Sequence, residues 1–161
     1  MKVGYGMITF RKAKMSDVEN LHQLINDFAA KGYMLPRSRN TLYEALREFI
    51  VIEDEGNLVG IGALHVIWED LAEIRALAVK EKYQRRGVGA QLIDRLLKEA
   101  VELDIHQVFA LTYQVEFFRK CGFAEMNKDE MPHKIWKECI DCPKFPKCDE
   151  VAMAITLPGV G

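Results

Sequence analysis

A chain of 161 residues in which 49% are apolar and 29% charged has the composition of one folded domain rather than of a disordered segment. Its 22 Lys and Arg nearly balance 24 Asp and Glu, for a net charge of −2, which argues against nucleic acid, a partner that requires a basic face. No apolar run could span a bilayer, and Met1–Thr9 lacks the charged-then-apolar pattern of a leader. The four cysteines therefore read as thiols or metal ligands, and the expected setting is cytoplasmic, without membrane partners.

Ile8–Ala13 reads as a first strand. Ser16-x-x-Glu19 has the form of a capping box, and Leu21, Leu24, Ile25 and Phe28 follow at helical spacing, which predicts a helix from about Asp17 to Ala30 that ends at Gly32. Tyr33–Asn40, with Pro36, is a loop. Thr41-x-x-Glu44 can cap a short second helix carrying Leu42, Ala45, Leu46 and Phe49. Phe49–Glu53 and Leu58–Trp68 are rich in strand formers and flank the turn residues Asp54–Asn57, so a hairpin is expected. A second turn at Glu69–Asp70 leads to a third strand, Ala72–Val79.

Lys80–Arg86 is polar and basic. Beyond it Val88, Leu92, Leu96 and Leu103, widened by Ile93, Leu97 and Val101, mark a strongly amphipathic helix. Val108–Leu111 is a short strand, Val115–Cys121 a short helix stopped by Gly122, Phe123–Glu125 a strand, and Val151–Leu157 a last one. Residues 127–150 form an irregular Cys- and Pro-rich stretch inside the same domain, which takes in the whole of 1–161. The order of elements predicts an α+β chain, a three-layer arrangement of a mixed sheet flanked by helices.

The segment with chemical content is Gln84-Arg85-Arg86-Gly87-Val88-Gly89, between a strand and a long helix. Glycines there bring the backbone close to a ligand, and the helix start offers free N–H groups and a partial positive charge, together an anion site suited to pyrophosphate. Arg85 and Arg86 can add charge-assisted contacts. The spacing is neither the G-x-x-x-x-G-K-[ST] of a Walker loop nor the G-x-G-x-x-G of a dinucleotide fold. A plain tight turn before a well-capped helix explains two such glycines equally well.

Gln84-x-x-Gly87-x-Gly89, the preceding Ile74–Val79 with its L-x-V ending, and Phe117-Phe118-Arg119-Lys120-Cys121-Gly122-Phe123 together resemble the signatures of GNAT acetyltransferases, and the order of elements agrees over nearly the whole chain. The resemblance implies a mostly antiparallel mixed sheet and acetyl-CoA as cosubstrate. It implies that Leu77, Ala78 and Val79 receive the pantetheine arm, that Gln84, Arg85, Arg86, Gly87, Val88, Gly89 and Ala90 hold the pyrophosphate, and that Phe118 borders the cofactor. The acetyl carbonyl would then lie where Ala72–Val79 and Val108–Leu111 splay apart.

Leu35-Pro36-Arg37-Ser38-Arg39, Glu73, Leu111-Thr112 and Val151-Ala152-Met153 are similar to the acetyltransferase domain of N-acetylglutamate synthases, the enzymes that open arginine biosynthesis. The likeness implies a short form without the amino-acid-kinase domain, hence without arginine feedback through it, and a small amino-acid acceptor. Arg37, Arg39 and Lys147 would meet that acceptor's carboxylates, and Glu73 would be the general base. The family tyrosine of the FYxxxGF motif is Phe118 here, so Tyr113 is the candidate for protonating the departing thiolate. Each residue also has a plainer reading: loop arginines in solvent, an exposed strand glutamate, a tyrosine packed at a strand end. His133, Cys139, Cys142 and Cys148 fit either packed thiols or a zinc staple, and no metal is assigned. Another small amine or a protein lysine is the alternative acceptor, a non-catalytic acyl-CoA sensor the alternative function, and a homodimer stays open.

Overall fold

The computed structural model describes residues 8–130 and 150–158. Seven strands form a sheet in the order β1 (Ile8–Lys12), β2 (Phe49–Asp54), β3 (Asn57–Trp68), β4 (Leu71–Val79), β5 (Gln107–Thr112), β7 (Val151–Thr156) and β6 (Ala124–Glu125). The pairs β1–β2, β2–β3, β5–β7 and β6–β7 are antiparallel. β4 and β5 run parallel, with Leu71, Ala72 and Glu73 opposite Gln107, Val108 and Phe109. The β2–β3 hairpin closes where expected: Glu55 and Gly56 both have positive φ, 51° and 85°, the twist that suits a two-residue turn.

The described residues divide into two compact units, those up to Leu64 with Ile74–Leu96, and His65–Glu73 with those from Leu97 onward. In the first, α1 (Val18–Ala30) turns Val18, Leu21, Leu24 and Ile25 toward Phe49, Val51, Ile61 and Ala63, and Leu42 of α2 (Arg39–Glu44) and Leu46 complete that layer. Leu21 and Ile25 are wholly buried, which stabilises by roughly 1.5–3 kcal/mol each. Gly62 faces the other way from Ala63, as neighbours on a strand must. A methyl group there would lie 3.0 Å from Leu92 Cδ2 and 3.3 Å from both Leu77 Cδ1 and Leu96 Cδ1, so the bare backbone is what lets α3 (Val88–Glu102) sit down on β3.

The second unit has its own core of Leu71, Phe109 and Ala152, packed by Ile67, Leu111, Met126 and Ala154. In and beside α4 (Val115–Lys120), the Phe118 ring meets Phe117 and Phe123 edge to face, with centroids 5.3 and 5.1 Å away. Among the described residues no helix is long and apolar enough to cross a membrane.

The first helix starts differently from the expected capping box at Ser16 and Glu19. A 3₁₀ turn, Met15–Asp17, precedes it, and the Asp17 carboxylate accepts from the Lys14 N–H at 2.6 Å. Asp17 also takes both arms of Arg11, at 2.8 and 2.9 Å, while Arg11 Nε donates to Glu53 at 2.7 Å. Arg11 and the Lys14 N–H thus engage the carboxylate at 17, and Glu19 pairs with Arg39. The Arg11 hydrogen bonds hold the Asp17 carboxyl below its ordinary range.

A group whose folded pKa is depressed stabilises above its unfolded value and loses that contribution as pH falls through the folded one. Asp17→Asn should therefore cost about 1–3 kcal/mol near neutral pH. Thermal melts should show the gap to wild type narrowing as pH drops below about 4. A gap that stays constant through that range would show that the carboxylate charge at Asp17 is not what matters.

Candidate active site

β4 leads through a 3₁₀ turn, Glu81–Tyr83, into the loop before α3. The Gln84 side-chain amide donates back to the Val79 carbonyl at 2.8 Å, so it braces the strand end rather than reaching outward. Arg85 and Gly87 both take positive φ, 65° and 77°. Alternating hand in this way turns successive N–H groups into a concave nest for an anion. No atom lies within 4 Å of where a Gly87 Cβ would stand, so glycine is required there by backbone conformation and not by crowding. The Gln91 N–H makes the first intrahelical bond of α3, to the Gly87 carbonyl at 3.0 Å, which leaves the amides of Val88, Gly89 and Ala90 without intrahelical acceptors. Buried Val88 anchors the helix start, while Arg85, Arg86, Gly87 and Ala90 are exposed and Gly89 is half-buried.

Beneath this loop is a pair that no local spacing announces. Tyr83, only 8% exposed, donates its hydroxyl to Asp54 Oδ2, 29 positions earlier. This hydrogen bond, followed by burial, pushes the Tyr83 phenol pKa up. Lys82 Nζ and the Arg86 guanidinium each stand 5.7 Å from the centre of the Tyr83 ring.

On β4, Leu77 is half-buried and Ala78 and Val79 are buried. Ala76 just before them has φ of 54°, an uncommon value for a non-glycine residue that interrupts the regular alternation of the strand. In the loop between α1 and α2, Arg37 is half-buried with its guanidinium 5.9 Å from the Phe49 ring centre, and its carbonyl accepts from Asn26 at 3.2 Å. Arg39 is exposed and engaged: its Nε and Nη2 bind the two oxygens of Glu19 at 2.8 and 2.9 Å. That pair lowers the Glu19 pKa and raises that of Arg39.

In the second unit Glu73 is 9% exposed, unlike the exposed strand glutamate of the plainer reading, and stands opposite Phe109 on β5. Tyr113 follows β5 directly and is 42% exposed, so it is not packed into a core. The Thr112 hydroxyl accepts from the Gln114 N–H at 2.8 Å and holds the turn into α4. Phe118, expected beside the cofactor, is 3% exposed in the aromatic trio with Phe117 and Phe123. Lys147, His133, Cys139, Cys142 and Cys148 lie outside the described residues, and among those described no group of His, Cys, Asp or Glu could hold a metal.

Residues 17–123 match the acetyltransferase (GNAT) family. The chain belongs to this family. It is 36% identical over 147 residues to an uncharacterized N-acetyltransferase from Chlorobaculum tepidum, covering 91% of this chain and 95% of that one. It is 41% identical over 131 residues to an amino-acid acetyltransferase from Mycobacterium tuberculosis, covering 80% of this chain and 75% of the relative. Among solved structures, N-acetylglutamate synthase from Neisseria gonorrhoeae complexed with coenzyme A and N-acetyl-glutamate is similar with a TM-score of 0.85 and 29% identity, over 93% of this chain and 35% of that one. This chain therefore corresponds to about a third of the gonococcal synthase.

Replacing Gly87 by valine asks a β-branched residue to hold a left-handed conformation, at a strain of roughly 1–2 kcal/mol or more. The loop relieves it by turning its amides away. Isothermal titration should show coenzyme A binding weakened about tenfold or more, with the melting temperature only modestly lower. Unchanged affinity would mean that these amides do not hold the pyrophosphate.

Proposed function

We propose that this N-acetyltransferase moves the acetyl group of acetyl-CoA to the α-amine of an amino acid, with L-glutamate as the acceptor, in the manner of an N-acetylglutamate synthase of arginine biosynthesis. The observation that carries the reading is the nest of amides from Arg85 to Ala90 at the start of α3, which suits the pyrophosphate of coenzyme A. The likeness to an amino-acid acetyltransferase and to a synthase solved with N-acetyl-glutamate supports the choice of acceptor.

In the proposed reaction the neutral amine attacks the thioester carbonyl, a C–N bond forms, and the C–S bond breaks as the tetrahedral intermediate collapses. The acceptor amine is protonated at neutral pH and must first lose a proton. Glu73 is assigned that proton, directly or through a water, because it is a carboxylate on β4, the strand whose Leu77 and Val79 are assigned the pantetheine arm. Tyr113 is assigned the proton donated to the leaving thiolate. Arg37 is assigned an acceptor carboxylate, a fork-to-carboxylate contact suited to a planar guanidinium. One observation favours a less anionic acceptor as the second reading: the Nε–Nη2 edge of Arg39 is already bound by Glu19.

A thiol-release assay with acetyl-CoA and the common amino acids tests the acceptor, and glutamate should give the highest kcat/KM. A higher value for a neutral or cationic amine would move the assignment to the second reading.

Glu73→Gln should lower kcat near neutral pH by about 10²–10⁴-fold. Part of that loss should return at high pH, where the amine is already free, and coenzyme A affinity should be unaltered. A wild-type pH profile would remove Glu73 from the mechanism.

Arg37→Ala should raise the KM for glutamate about tenfold or more and leave that for acetyl-CoA alone. An unmoved glutamate KM would remove Arg37 from the acceptor site.

A further inference from the structure

Asp54 is the last residue of β2, and its two carboxylate oxygens have different fates. Oδ2 accepts the Tyr83 hydroxyl, whereas Oδ1 is buried with no hydrogen-bond donor among the described residues. A buried acceptor without a donor is a cost to the folded state. Such a group calls for an explanation, and the neighbouring loop places a demand on this position.

The demand lies in the loop that Tyr83 begins. Arg85 holds a left-handed φ of 65° that a non-glycine residue takes only when its surroundings impose it. The arch Arg85-Arg86-Gly87 is pinned on its far side by buried Val88 and on its near side by Gln84, bonded to the Val79 carbonyl, and by Tyr83. Of these near-side pins, Tyr83 ties the loop to a different strand, because Asp54 belongs to the β2–β3 hairpin, where it pairs with Asn57 across the turn and with Ile8 of β1. The hairpin tip thus supplies a reference point for the loop that β4 and α3 do not.

We infer that Asp54, acting through the Tyr83 hydroxyl, is a positioning residue for the pyrophosphate-binding amides. It holds the arch in the conformation that receives the cofactor and takes no part in the chemistry. This inference rests on the reading of the loop as the coenzyme A site. Two further groups share the platform: the cations of Lys82 and Arg86 stand over the Tyr83 ring, so a ring held fixed by Asp54 also sets where those charges sit.

Tyr83→Phe keeps the ring, its packing and its cation contacts and removes only the hydroxyl. The dissociation constant for coenzyme A and the KM for acetyl-CoA should rise roughly tenfold, the scale of one lost hydrogen bond. At saturating acetyl-CoA, kcat and the acceptor KM should stay within about twofold of wild type on the same scale. Asp54→Leu, which has no acceptor, should reproduce that effect, and the double variant should be no worse than either single one, because both remove the same bond. Asp54→Asn retains a neutral acceptor and should restore most of the affinity. Coenzyme A affinity unchanged in Tyr83→Phe would overturn the inference. So would a parallel loss of acceptor KM, kcat and melting temperature, the mark of general loosening. Should the wild type itself bind no coenzyme A, the reading of the loop fails, and the inference fails with it. Binding by the wild type with indifference in Tyr83→Phe sinks only the role of Asp54.

Discussion

Backbone amides at the start of a helix have no partner inside it, and where they point decides what can be bound there. In this chain that constraint falls on Val88, Gly89 and Ala90, and the surrounding sequence serves to aim them. The missing side chain at Gly62 brings α3 onto β3. Buried Val88 fixes the first turn, and Gln84 ties the loop to the strand end that precedes it. None of these residues contributes charge to an anion. They set the position of neutral N–H groups whose combined dipoles do.

The acidic residues with buried atoms illustrate how differently a carboxylate can be accommodated. Asp17 is surrounded by donors, two from Arg11 and one from the Lys14 backbone, and its charge is stabilised in place. Asp54 is satisfied on one oxygen and not on the other. Glu73 is buried on β4, between Ala72 and Ile74. The first arrangement favours the fold, whereas the roles proposed for Asp54 and Glu73 are positioning of the loop and proton transfer.

Much of this was legible in the sequence because it depends on neighbours. The turn at Glu55 and Gly56, the stripe of Val88, Leu92 and Leu96, and the loop from Gln84 to Gly89 each follow from residues within a few positions of one another. Features set by distant partners were not legible. Arg11 reaches Glu53 across 42 positions while it also binds Asp17. Tyr83 finds Asp54 across 29 positions, which no spacing rule reaches. The motif predicts Phe118 beside a cofactor but says nothing of the edge-to-face cluster that its ring forms with Phe117 and Phe123. Glu73 was placed on the right strand, but its depth could not be read from alternation in a run where Leu71, Ala72, Glu73 and Ile74 are all buried.

The Arg39–Glu19 pair bears on how ionic strength should act at that guanidinium. With the Nε–Nη2 edge already occupied, an incoming carboxylate at that edge of Arg39 is exchanged for Glu19 instead of being added to an open cation. The free energy of such an exchange is a difference between two ion pairs of the same kind, each weakened by screening. Salt would then displace the resident and the visitor nearly alike, so electrolyte becomes a poor competitor at Arg39 and the geometry of the second carboxylate, not its charge, decides the outcome.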